Sequence, residues 1–70
     1  MMSDHVYAMA KFVGSSSSTI EDAIENALAK ASETIEHLSW FQVVETRGWI
    51  KDNKVAYYQV TLEFGSRCEE

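Results

Sequence analysis

The chain has no proline, one cysteine and few basic residues, and each shortage excludes something. A single cysteine, Cys68, closes no disulfide within the chain, so a disulfide-stapled miniprotein is ruled out. The side chains able to hold a metal are His5, His37, Cys68 and scattered carboxylates, with no zinc spacing among them. Six Lys and Arg stand against eleven Asp and Glu, for a net charge of −5. No two basic residues adjoin, so the cationic field that nucleic acid binding requires is missing. An acidic surface also repels anionic membranes. The three glycines are isolated at 14, 48 and 65, which leaves no glycine-rich phosphate loop. No apolar run approaches the ~20 residues that span a bilayer. The opening "MMSDHVYAMAKF" is broken by Asp4, His5 and Lys11, unlike a secretory leader, and a cytoplasmic location is the expectation.

What remains is nearly half apolar, so it is a folding chain rather than a disordered one. Residues 1–70 make one domain, near the lower limit of what a single core can stabilise. With disulfides and metal set aside, self-association is the remaining source of stability.

The pattern along the chain is strand, helix, long hairpin. In "HVYAMAKFV" (5–13), Val6, Ala8, Ala10 and Phe12 alternate with Tyr7, Met9, Lys11 and Val13, as in a strand. "GSSSS" (14–18) reads as a short linker ending in a helix start. Ser18 with Glu21 three residues on fits a capping box, and Asp22 adds negative charge to the first turn. Ile20, Ala23, Ile24, Ala27, Leu28, Ala31, Ile35 and Leu38 recur at helical spacing, which predicts a helix from about Thr19 to His37. His37 then sits at the negative end of the helix dipole. Residues 39–50 read as a second strand, with Val43 and Val44 giving apolar surface to both faces. "KDNK" (51–54) is the turn, where Asp52 and Asn53 tolerate positive φ. The third strand runs from Val55 to Arg67, with Tyr58, Val60, Leu62 and Phe64 on its inner face. The fold class is therefore α+β, in the order β-α-β-β. One helix covers one face of three strands, so the aromatics on the other face and the proline-free edge strands mark subunit contacts.

Nucleophilic chemistry finds little support. Cys68 lies in "CEE", where carboxylates disfavour a thiolate. Glu45 and Arg47 share a strand face and read as an ion pair before an acid–base site. The aromatics say more. Trp40 is either a plug at the corner between helix and strand or a stacking platform for a flat ligand, worth about 1–3 kcal/mol by analogy with base stacking. A platform needs a group to read the ligand's edge, and the Gln59 amide offers both donor and acceptor.

Taken together, "SWFQVVETRG" (39–48), "YQVTLEFG" (58–65) and "GSSSSTIEDAIENALAKASETI" (14–35) resemble the dodecin family of small flavin-binding proteins. The resemblance spans nearly the whole chain. It implies a three-stranded antiparallel sheet wrapped around one helix, and a hollow homododecamer without enzymatic activity that stores flavin and protects it from light. The flavin, FMN or riboflavin, would stack in pairs between tryptophans of two subunits. Trp40 would be that tryptophan, Gln59 would bind the ring's polar edge, and Glu45 would reach the ribityl hydroxyls. Arg47 and Arg67 match basic positions that line subunit contacts and can hold the phosphates of coenzyme A. Trp49 and Tyr57 stand where histidine is common, with Trp49 close to the flavin channel. Ala8 replaces a usual lysine, and Ser66 and Cys68 replace larger apolar residues. The alternative reading is a structural shell whose flavin site is filled by Trp49 and Tyr57.

Overall fold

Four elements follow one another: β1 (Tyr7–Ser16), α1 (Ile20–Ala31), β2 (Leu38–Lys51) and β3 (Lys54–Arg67). The structure, a computed structural model, describes residues 4–68. The three strands form one antiparallel sheet in the order β1-β3-β2, so β3 is central and both neighbours are edges. The chain measures 58 × 20 × 15 Å, because the β2–β3 hairpin is long.

The serine run is not a linker. Ser15 and Ser16 complete β1, opposite Gln59 and Tyr58. Ser16 is buried, its hydroxyl donates to Asp22 Oδ2 at 2.7 Å, and the Ser18 amide donates back to it at 2.9 Å. The helix cap also lies one residue later than the Ser18 box predicts. Thr19 is the N-cap, with extended backbone, and its Oγ1 accepts from the Asp22 amide at 2.9 Å. Strand and helix approach closely at Gly14, where a Cβ would collide with the Ala23 carbonyl and the Ala27 methyl. Gly14 is therefore a contact requirement rather than a source of flexibility.

The helix ends at Ala31, six residues before His37. Ser32 caps it, and its hydroxyl donates to the Ala29 carbonyl at 2.9 Å. His37 lies in the following connection at φ 64, and its carbonyl accepts from the Arg67 amide at 3.0 Å. The apolar spacing that carried the expected helix to Leu38 is genuine, since Ile35 and Leu38 do pack on the core. They do so from a chain reversal, which helical periodicity cannot distinguish from one more turn. Asp52 (φ 54) and Asn53 (φ 63) form the tight hairpin turn with both residues left-handed.

Among the described residues, Ala23, Ala27, Ala31, Val60, Leu62 and Phe64 form the buried apolar core. The alanines let α1 settle against β1 and β3. Val60, Leu62 and Phe64 each contribute about 1.5–3 kcal/mol by leaving water. β2 contributes nothing comparable: every one of its residues after Leu38 is exposed. No helix among the described residues is long and apolar enough to cross a membrane.

Candidate functional site

The face of the sheet away from α1 carries all the residues singled out for ligand contact, with Arg67 at its far end, and a bulge brings the β2 residues onto it. Trp40 and Trp49 are nine residues apart. In a regular strand an odd separation places side chains on opposite faces. β2 is not regular: its pairing with β3 slips between Val43 and Glu45. Before the slip, Phe41 and Val43 oppose Phe64 and Leu62 on the helix side, and Trp40 and Gln42 oppose Gly65 and Glu63 on the outer side. After it, Glu45, Arg47 and Trp49 oppose Thr61, Gln59 and Tyr57, again on the outer side. The adjacent Val43 and Val44 mark the place in the sequence.

Trp40 lies on Gly65. A Cβ at Gly65 would come within 3.0 Å of Cε2, Cζ2 and Cδ2 of the indole. These atoms lie at and beside the bond shared by the two rings, so the indole turns a face to the strand. Tyr7 packs edge-on beside it, with ring centroids 5.9 Å apart. The side chain stays 39% exposed, so it is not a buried core plug. Sequence reasoning missed Gly65 and Tyr7. The signal was present in Gly65, since glycine inside a strand marks a close approach of another group.

Further along the same face, Arg47, Gln59 and Ser15 form one row across the three strands. Arg47 Nη2 donates to Glu45 Oε1 at 2.7 Å, and both side chains are about half exposed, so the expected ion pair is present. Trp49 and Tyr57 make the next row. Their rings stack, with centroids 5.1 Å apart and planes 9° from parallel. Gln59 is six residues from Gly65 along β3, or about 20 Å at the usual strand rise. Trp40 and Gln59 of one chain therefore do not meet. Arg67 pairs with Tyr7 at the far end of β3, eight residues and about 26 Å from the Arg47 row.

The donor set suits a flat, polar-edged ligand. It offers a partly exposed indole and, about 20 Å along the same face, an amide, a carboxylate with one oxygen engaged, and a guanidinium. Among the described residues no cluster of His, Cys, Asp and Glu is placed to hold a metal ion.

A family model described as Dodecin matches residues 6–69. The chain belongs to the dodecin family. The dodecin of Thermus thermophilus is 49% identical over 65 residues, covering 93% of this chain and 94% of that protein. The structure of dodecin from Streptomyces coelicolor superimposes with a TM-score of 0.89 at 43% identity, over 99% of each chain. The tt0972 protein from Thermus thermophilus gives 0.89 at 48% identity, over 96% of this chain and 98% of that one. The β-α-β-β order with one antiparallel sheet is thus the dodecin fold.

Ser66 lies opposite Ala8, and its hydroxyl donates to the Ala8 carbonyl at 3.5 Å. Cys68 is exposed and its amide donates to the Val6 carbonyl at 2.8 Å. The acidic neighbours Glu69 and Glu70, invoked against a thiolate, lie outside the described residues.

Proposed function

We propose that this dodecin is a non-enzymatic cytoplasmic carrier of FMN or riboflavin. It holds the flavin between subunits of a homododecameric shell, which sequesters the ligand and suppresses its photochemistry. The observation that carries this reading is Trp40, seated by one face on Gly65 and still 39% exposed.

When bound, flavin supplies a flat, electron-poor ring that is reactive in light. Trp40 stacks on that ring for about 1–3 kcal/mol. Gln59 donates to and accepts from its polar edge. Glu45 has Oε2 left to accept from sugar hydroxyls while Oε1 holds Arg47. Because Trp40 and Gln59 of one chain lie about 20 Å apart, a ring touching both takes its tryptophan from a neighbouring subunit. The bare β2 strand supports such a neighbour. Phe41 is 50% and Ile50 76% exposed there, and a chain with so small a core gains stability by covering them. A twofold axis doubles each contact, so one Trp40 per chain encloses a pair of rings from both sides. An enclosed ring has no face for a second substrate, which is why the reading is a carrier. A coenzyme A site using both Arg47 and Arg67 would likewise be built from more than one subunit.

The test is a titration of FMN and of riboflavin with purified protein, with the particle mass measured by light scattering. Twelve chains of 7.9 kDa give about 95 kDa. Flavin emission should fall as protein is added, and unchanged emission at micromolar concentrations refutes the reading. The Trp49–Tyr57 stack favours one alternative, a shell in which these rings fill the ligand's place. Trp40→Ala separates the two: it abolishes binding in a carrier and chiefly loosens assembly in an empty shell.

A further inference from the structure

Trp49 and Tyr57 have an ordinary structural use. A cross-strand aromatic pair beside a tight turn stabilises a hairpin by about 0.2–1 kcal/mol. Three further facts give the pair more to do. Trp49 is 42% exposed despite the stack, so Tyr57 covers only part of it. The pair occupies the outer face one row beyond Arg47 and Gln59, about 6.6 Å along the strand. Trp40 of the same chain is eight residues away along β3, about 26 Å. A ring read by Gln59 therefore has Trp49 of its own chain as the adjacent indole, and Trp40 only from a neighbour.

We propose that Trp49 is a second electron donor to the flavin ring seated at Gln59, independent of Trp40, and that the stacked Tyr57 makes it a better donor. The proposal rests on the flavin-binding reading above. On illumination, one electron passes from the Trp49 indole to the excited ring. The indole is left as a radical cation, and the same electron then returns. No bond forms or breaks, no proton moves, and the absorbed energy leaves as heat. Tyr57 acts on the charged state: its parallel π face shares the positive charge, as aromatic faces attract cations generally. A lone exposed indole has no such support.

The sequence contains two tryptophans, so Trp40→Phe leaves Trp49 as the only indole while keeping a flat ring for stacking. Ligand retention is measured by equilibrium dialysis, and the excited-state lifetime of the bound flavin by time-resolved emission. The wild type, W40F, W49F and the double variant are compared. W40F should bind flavin more weakly than wild type, because Phe offers a smaller ring than indole, and should hold the lifetime of the bound ligand at least about tenfold below that of free ligand. The double variant should match W40F in retention within about threefold, and its lifetime should lengthen by about fivefold or more over W40F. A W40F lifetime equal to that of free flavin overturns the proposal, as does a double variant no different from W40F. Loss of all retention in W40F overturns it too, because a flat ring at position 40 would then not keep a flavin within reach of Trp49. Failure of the wild type to retain flavin rejects the carrier reading itself, a different result from any of these.

Discussion

Replacing Gly65 by alanine tests the platform directly. The added methyl would stand within 3.0 Å of three indole atoms of Trp40, so one of the two must move. β3 is the central strand, hydrogen-bonded on both sides, and yields little. Trp40 is on an edge strand and 39% exposed, so the indole is what lifts or swings away. Two terms oppose each other in stability. Alanine in a strand relieves about 0.5–1 kcal/mol of glycine's entropic cost. Overpacking against the indole costs about 1–3 kcal/mol. The net change in folding runs from about zero to about 2.5 kcal/mol unfavourable. Ligand binding responds more sharply. A displaced indole forfeits the stacking term of about 1–3 kcal/mol, a loss of roughly 5- to 150-fold in affinity. The assay is flavin titration of G65A beside wild type, with thermal melts of both apoproteins. A G65A protein that melts near wild type and binds flavin within about twofold of it refutes the account of Trp40 as a platform built on Gly65.

Other outcomes follow from the local structure. Thr19→Ala removes the side chain that accepts from the Asp22 amide and should cost about 1 kcal/mol in a urea melt, while Ser18→Ala should stay within about 0.5 kcal/mol. The reverse order would restore Ser18 as the cap. For the Glu45–Arg47 pair, a double-mutant cycle on the apoprotein should give a coupling of about 0.2–1 kcal/mol that fades in high salt, because both side chains are half exposed. A coupling that survives high salt would mean the pair is covered in the assembled protein.

Much of the fold was legible because local chemistry and tertiary structure agree. The left-handed turn at Asp52 and Asn53, the inner face of β3 and the alanine stripe of α1 all follow from residue type and spacing. The site was legible as residue types and not as geometry. An indole, an amide and an ion pair can be named from the chain, but their separation depends on register.

By itself the sequence determined the element order and the apolar faces, because both follow from residue type and spacing. Three matters were left to the tertiary structure. The helix stops at Ala31 because the chain must turn back to lay β2 beside β3, although Ile35 and Leu38 keep helical spacing. The cap falls on Thr19 because Ser16, committed to β1, engages Asp22 and the Ser18 amide. Trp40 and Trp49 share a face because one extra residue near Val44 shifts the register against β3. A period-two pattern cannot announce such a slip, since only the partner strand defines which side of the sheet each residue occupies.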